Sequence, residues 1–132
     1  MTLGDILIRV DLRAIIVDDS SEFLEAATSL LAREGVAVVG VAGTGSDALE
    51  RVADLGPQVV LVDIDLGGES GFEVARRIAN LTPASVILIS THSEDDFAEL
   101  IAESAAAGFI SKAELSAQAI QSLLGDRPGD GR

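Results

Sequence analysis

Hydrophobic residues recur along the chain in short, nearly continuous runs that are separated by longer amphipathic segments. The runs are rich in β-branched residues and cover 14–17, 36–41, 59–62 and 86–89, with a weaker fifth run at 108–111. Continuous apolar runs of this length are typical of parallel strands that are buried on both faces of a sheet. We therefore predict a parallel sheet of five strands.

Apolar residues at helical spacing fill the segments between these runs. After the first run, Phe23, Ala27 and Leu31 lie on one face of a predicted helix, and Gly35 marks its end. Further helices are predicted at about 46–56, at 72–80 and after residue 114. The pattern as a whole alternates strand and helix.

One more helix is predicted to begin at Ser93, because Ser93 and Asp96 have the spacing of a capping box. Its apolar residues are expected to point inward; these are Phe97, Leu100, Ile101 and Ala105.

Alternating strands and helices predict right-handed βαβ units in an open sheet that carries helices on both faces. Five such units form an α/β, flavodoxin-like (βα)5 domain, a doubly wound five-stranded parallel sheet with strand order 2-1-3-4-5. We assign residues 12–124 to this domain. Residues 1–11 form an extension without an assignment, and residues 125–132, which are Gly, Pro and charged, are predicted to be a disordered tail.

The charge balance narrows the classes of partner. Acidic residues outnumber basic ones by 22 to 9, which gives a formal charge of −13. This excess disfavours direct binding of DNA or of an anionic membrane by the domain. The apolar runs are far shorter than a membrane span, and the N-terminal residues do not resemble a signal peptide, so a cytoplasmic location is expected.

Four carboxylates follow predicted strands on the side where ligands bind in doubly wound folds. Asp18 and Asp19 follow the first strand, Asp63 closes the third, and Asp65 lies in the loop beyond it. Like charges that cluster repel one another and require a cation, and oxygen ligands favour Mg²⁺. The alternative is that each Asp merely ends a strand or caps a helix.

Two further residues at the same edge can bind an anion. Ser90 and its neighbour Thr91 end the fourth strand, where a hydroxyl could donate to a phosphoryl group or cap the next helix. Lys112 follows the fifth strand, where its ammonium could reach an anion, although an isolated surface lysine is ordinarily solvated.

These landmarks, from about Leu12 to Leu124, resemble the receiver domains of bacterial two-component response regulators. The stretch VVLVDIDLGGESGFE, residues 59–73, is similar to the phosphoacceptor strand and loop of that family. The resemblance implies that Asp63 is the phosphoacceptor. It assigns the family's metal-binding carboxylates, switch hydroxyl, aromatic switch and lysine to Asp18 and Asp19, Ser90, Phe109 and Lys112, respectively.

The resemblance also implies a Mg²⁺ site formed by Asp18, Asp19, Asp63 and the backbone carbonyl of Asp65. Asp65 and His92 occupy positions that the family varies to tune the lifetime of the phosphoryl group. Gly67 stands where the family usually has Pro, so the loop is expected to be more mobile than in other members.

The function implied is that of a signalling domain in a phosphorelay, and not of an enzyme beyond its own phosphotransfer and autodephosphorylation. The implied partner is a sensor histidine kinase or a phosphotransfer protein. The last two helices and the fifth strand would form the output face and a possible homodimer interface.

Three other functions are compatible with parts of the sequence. The Gly-rich stretch GVAGTG at 40–45 resembles a Rossmann dinucleotide site, but it lacks the GxGxxG spacing, and Thr44 or Ser46 explains it as a capped helix start. Asp63 and Asp65 also resemble the DxD pair of haloacid-dehalogenase-type phosphatases, which place it on their first core strand. A pseudo-receiver that binds partners without phosphorylation is the third.

Overall fold

The computed structural model describes residues 12–125, with side chains to residue 124. Its strands are β1 (Leu12–Val17), β2 (Val36–Ala42), β3 (Val59–Asp63), β4 (Ser85–Ser90) and β5 (Gly108–Ser111). Its helices are α1 (Ser21–Arg33), α2 (Gly45–Leu55), α3 (Gly71–Leu81), α4 (Ala98–Glu103) and α5 (Ala117–Gly125). Short 3-10 turns cover Glu94–Phe97 and Lys112–Glu114. The predicted extension lies outside the described residues, as does the predicted tail apart from Gly125.

All five strands are parallel and lie in the order β2-β1-β3-β4-β5. This order confirms the doubly wound, flavodoxin-like fold. The reversal of strand order places β1 next to β3, with Val17 level with Val62. The residues that follow these two strands therefore meet at one edge of the sheet.

The three central strands β1, β3 and β4 are buried on both faces, as their continuous apolar runs predict, whereas the edge strands β2 and β5 are only partly buried. Alternate residues along β1 point to opposite faces, so Ile15 joins one core cluster and Ile16 the other. The cluster that includes residues of α2 and α3 contains Ile15, Val17, Val52, Val60, Val62, Val74 and Ile78. The cluster that includes residues of α1 and α5 contains Ile16, Leu31, Leu61, Ile87, Ile89 and Ile120.

Three helices begin with a side-chain cap at the edge where β1, β2 and β3 end. Ser20, Thr44 and Ser70 each accept a backbone N–H from the first turn of their helix, at 3.1, 3.1 and 3.2 Å. The bond that Thr44 accepts from the N–H of Asp47 confirms that the Gly-rich stretch before α2 is a capped helix start. Local sequence thus sets where the chain turns back beside the strand ends.

The prediction for the helix after Ser93 was wrong in two respects. Ser93 makes no side-chain cap, and the segment forms a 3-10 turn followed by an α4 of only six residues. Leu100 is 51% exposed and Ala105 is also exposed, so neither points inward as expected. The reason is that so short a helix cannot carry an apolar stripe long enough to bury.

Of the described helices, none has the length and apolar character needed to cross a membrane.

Candidate functional site

Three of the four predicted carboxylates meet where β1 and β3 end. Asp18, Asp19 and Asp63 each offer an oxygen, and these oxygens all lie within 4.8 Å of one another. The fourth carboxylate does not join them: Asp65 is exposed, and its Oδ1 accepts the N–H of Gly67 at 3.2 Å. The expected crowding of four side chains is therefore corrected to three, because the Asp65 side chain bonds within its own loop.

Asp18 is the most deeply buried member of the cluster, with no exposed surface. Its Oδ1 accepts the N–H of Ser20 at 2.8 Å. Its Oδ2 lies 2.7 Å from Nζ of Lys112 but makes no hydrogen bond of regular geometry. The Asp18 side chain therefore keeps a buried oxygen whose neighbour is the ammonium of Lys112, to which it is held by charge attraction.

Lys112 closes the cluster from the end of β5. Its Nζ donates to Oδ2 of Asp63 at 3.2 Å and lies 4.3 Å from the ring centre of Phe23 in α1. The lysine side chain is only 14% exposed. Lys112 therefore lies at the strand ends as expected and is not a solvated surface lysine. The contact of Phe23 was missed because its helical spacing identified it only as an apolar packing residue.

Opposing effects act on the pKa values of Asp63 and Lys112. Burial raises the pKa of Asp63 above its ordinary value of 3.8, and Asp18 raises it further, although the N–H of Asp65 and the charge of Lys112 lower it. Burial lowers the pKa of Lys112, but the close negative charges of Asp18 and Asp63 outweigh it and leave that pKa raised. The site therefore favours the charged ammonium form of Lys112 and disfavours the ionised form of Asp63.

The loop after β3 is folded back on itself. Asp65 and Ser70 form an antiparallel bridge, and the N–H of Leu66 donates to the carbonyl of Glu69 at 3.0 Å. Gly67 has φ +78, which proline cannot adopt, so the loop conformation explains why the family's usual proline is absent. The expected mobility of the loop stays a prediction.

Gly71 fixes the distance between α3 and the end of β3. A Cβ atom at this position would lie 1.9 Å from the backbone oxygen of Asp63, so only glycine fits. The start of α3 is thereby packed directly against the predicted acceptor.

The predicted switch residues lie at the neighbouring strand ends. Ser90 is buried, and its hydroxyl accepts the N–H of His92 at 3.0 Å and lies 3.4 Å from His92 Nδ1. In the part of the chain that the structure describes, the Ser90 hydroxyl makes no hydrogen bond to Asp63 or Lys112. Phe109 in β5 is half-buried and packs against the core cluster of α2 and α3.

The geometry agrees with the comparison with known families, in which residues 14–124 match the response regulator receiver domain. The chain belongs to this receiver-domain family. It is 31% identical over 114 residues to the response regulator GacA of Pseudomonas viridiflava, over 85% of this chain and 53% of that protein. It is 30% identical over 104 residues to the DNA-binding transcriptional activator EvgA of Escherichia coli K12, over 78% of this chain and 51% of that protein.

The receiver also resembles solved structures of the family. The signal receiver domain of the putative response regulator NarL from Mycobacterium tuberculosis superposes with a TM-score of 0.76 at 30% identity, over 93% of this chain and 99% of that one. The chain spans about half the length of the curated relatives that it matches. The family assignment does not favour the Rossmann, phosphatase or pseudo-receiver alternatives.

The residues of the receiver site fit a small, hard cation. The three clustered carboxylates supply only oxygen, and the unsatisfied Oδ2 of Asp18 is buried among them. Lys112 supplies one positive charge to the pair Asp18 and Asp63, which leaves the cluster with excess negative charge. The residues that would hold Mg²⁺ are therefore Asp18, Asp19 and Asp63.

Proposed function

We propose that the receiver accepts a phosphoryl group on Asp63 from a phosphohistidine of a sensor histidine kinase or phosphotransfer protein. The observation that carries the proposal is that Asp63 lies beside two other carboxylates and an ammonium. One oxygen of Asp63 lies within 4.8 Å of one oxygen each of Asp18 and Asp19, and its Oδ2 lies 3.2 Å from Lys112 Nζ. A nucleophilic carboxylate, a cation site and a fixed positive charge are the groups that phosphoryl transfer requires.

The chemical step follows from these groups. A carboxylate oxygen of Asp63 attacks phosphorus, the P–N bond to the donor imidazole breaks, and the imidazole nitrogen keeps the electron pair. The product is an acyl phosphate on Asp63. Lys112 binds one of the transferred oxygens, and the hydroxyl of Ser90 turns from His92 to bind another. Bound Mg²⁺ would offset negative charge on those oxygens, with the Asp65 carbonyl as an additional ligand.

The response to phosphorylation is proposed to start at Ser90. Movement of Ser90 toward the phosphoryl group would leave space for Phe109 to move inward, which biases the face formed by α4, β5 and α5. That face is the proposed output and homodimer surface. Asp65 and His92 border the phosphoryl site and are proposed to set the lifetime of the acyl phosphate.

The setting of the domain is part of the same proposal. Because the chain has a formal charge of −13, the domain is proposed to act through protein contacts in the cytoplasm rather than by binding DNA itself. A relative such as EvgA is described as DNA-binding, but half of its length lies beyond the part that this chain matches.

The test is intact mass after incubation with acetyl phosphate, a small-molecule phosphodonor, with and without Mg²⁺. The wild-type protein is expected to gain one phosphoryl group only when Mg²⁺ is present, and Asp63→Asn is expected to gain none, because an amide cannot form the acyl phosphate. Asp54→Asn is the matched control, since it removes an exposed carboxylate on α2 that lies outside the site, and it is expected to label as wild type does. Labelling of Asp63→Asn at the wild-type level would exclude Asp63 as the acceptor.

A further inference from the structure

Glu69, in the loop after β3, makes a contact that has no part in the proposed phosphoryl transfer. Its Oε1 accepts the N–H of Gly45 at 2.9 Å. Gly45 is the first residue of α2, and its N–H is one of those that a helix leaves without an internal partner. The next capping bond, from the N–H of Asp47, is already made by Thr44. Glu69 therefore supplies the helix start with a partner from a distant loop.

Gly45 and Glu69 fit each other closely. A Cβ atom at position 45 would lie 2.6 Å from Oε2 of Glu69 and 2.8 Å from Cγ2 of Val74. Both distances are shorter than real Cβ contacts, so a side chain at position 45 would push Glu69 out of its place. The glycine leaves the space in which the carboxylate of Glu69 sits.

The backbone of Glu69 holds the rest of the loop. Its carbonyl accepts the N–H of Leu66, and the bridge between Asp65 and Ser70 encloses the same residues. The tip of the loop lies against the carboxylate cluster, because a Cβ atom on Gly67 would be only 3.1 Å from Oδ2 of Asp19. The side chain of Glu69 therefore ties to α2 a loop that touches one of the proposed metal ligands.

We propose that Glu69 is a positioning residue for the metal site. By bonding to the first N–H of α2, it holds the loop of residues 64–70 where the Asp65 carbonyl can join Asp18, Asp19 and Asp63 around the ion. The inference rests on the proposed function in one respect, which is the assignment of the metal ligands. A merely stabilising role as an extra helix cap would leave the affinity for Mg²⁺ unchanged.

The first measurement is Mg²⁺ affinity by isothermal titration calorimetry. Glu69→Ala is expected to weaken binding about tenfold, at the low end of the range for residues that orient metal ligands. Gly45→Ala is expected to weaken it similarly, because it displaces the same carboxylate. Glu69→Gln keeps an acceptor oxygen and is expected to stay within about twofold of wild type, as an ordinary surface substitution does.

The matched control is Glu73→Ala, which removes the same charge from an exposed residue that pairs with Arg76. Its affinity for Mg²⁺ is expected to stay within about twofold of wild type, since the lost contact is a surface ion pair. Equal weakening in the Glu69 and Glu73 variants would show a general charge effect and overturn the proposal. Wild-type affinity in Glu69→Ala would overturn it as well.

The second measurement needs neither metal nor phosphoryl transfer. Hydrogen exchange in metal-free protein is expected to be faster at the amides of Gly45 and Leu66 in Glu69→Ala, and to remain near wild type in Glu69→Gln. Unchanged exchange at both amides would exclude Glu69 as the tether. If the loop loosens as expected but wild-type protein does not label on Asp63, the proposed function fails while the tether stands.

Labelling by acetyl phosphate then separates affinity from chemistry. Glu69→Ala is expected to need more Mg²⁺ for half-maximal rate but to reach the wild-type rate at saturation, because it leaves Asp63, Lys112 and Ser90 in place. A lowered rate at saturating Mg²⁺ with an unchanged half-maximal concentration would overturn the proposal.

Discussion

The two sides of the site differ in how firmly they are held. The acceptor side comprises Asp18, Asp63, the loop of residues 64–70 and α3. It is held by the side-chain cap of α3 and by three buried side chains of that helix, Val74, Ala75 and Ile78. On the switch side, residues 91–107, α4 is short, its preceding turn has no side-chain cap, and neither contains a buried residue.

This difference has a physical reason. The acceptor side must keep carboxylates close together, which is unfavourable unless surrounding contacts determine the geometry. The few buried contacts on the switch side would favour the proposed movement there, because a segment that is weakly held can shift at small energetic expense. The rings of Phe72, Phe97 and His92 join the two sides, with centroid distances of 6.3 Å between the phenylalanines and 5.7 Å between Phe97 and His92.

The largest expected effect compares one apolar residue from each side. Ile78→Ala should lower the free energy of unfolding by about 3 kcal/mol, because the side chain is fully buried and its removal leaves a cavity. Leu100→Ala should lower it by less than about 0.5 kcal/mol, since Leu100 is half exposed. Urea unfolding followed by circular dichroism measures both, and equal losses would remove the distinction between the sides.

A somewhat smaller effect is expected from Lys112→Ala, which leaves the buried carboxylate of Asp18 without its cation. The loss in metal-free protein should be about 2 kcal/mol, below the range for fully buried pairs because the lysine side chain keeps some exposure. Mg²⁺ should restore part of it by supplying positive charge. Arg77→Ala, an exposed cation on α3, is the control, and a Lys112→Ala loss no greater than the control would contradict the importance of the ion pair.

The helix caps provide a third comparison. Ser70→Ala should lower the free energy of unfolding by about 1 kcal/mol, because Ser70 accepts N–H groups at the start of α3. Ser93→Ala should change it by less than about 0.5 kcal/mol, because Ser93 makes no cap hydrogen bond. The same urea titration distinguishes them, and a larger loss for Ser93 would show that the switch side is capped after all.

The smallest expected change concerns the charge of Asp63 and its dependence on pH. Burial raises the pKa of Asp63, so as pH rises above 3.8 the unfolded chain ionises first and wild type loses stability until the folded carboxyl has ionised too. Asp63→Asn lacks this loss. The variant should melt above wild type at pH 7, with a difference that shrinks toward pH 3. A variant that melts below wild type at pH 7 would show that the Lys112 contact outweighs burial.

The sequence allowed much of the fold and part of the site to be predicted. The apolar runs identified all five strands. The signal is clearest for β1, β3 and β4, because a strand buried on both faces must be apolar at nearly every position. The aspartates after β1 and β3 could be assigned to one site because parallel strands in this topology end at the same edge. Their proposed roles stay predictions.

The prediction for α4 failed because the local pattern after Ser93 does not extend into a long, capped helix. Ser93 and Asp96 have the spacing of a capping box, yet the turn after Ser93 is a 3-10 turn without the cap bond. Apolar spacing indicates which residues share a helix face, but it does not reveal whether a neighbouring element covers that face. Leu100 lacks enough cover and stays half exposed.

By itself, the sequence determined the order of elements, the strand-end carboxylates and the caps at Ser20, Thr44 and Ser70, because each depends on residues close together in the chain. Only the tertiary structure decided that Lys112 is buried against Asp18 and Phe23, and that Glu69 reaches the start of α2. Those contacts join residues that are far apart in sequence. They depend on the packing distances between strands, helices and loops, which no local pattern of residue types records.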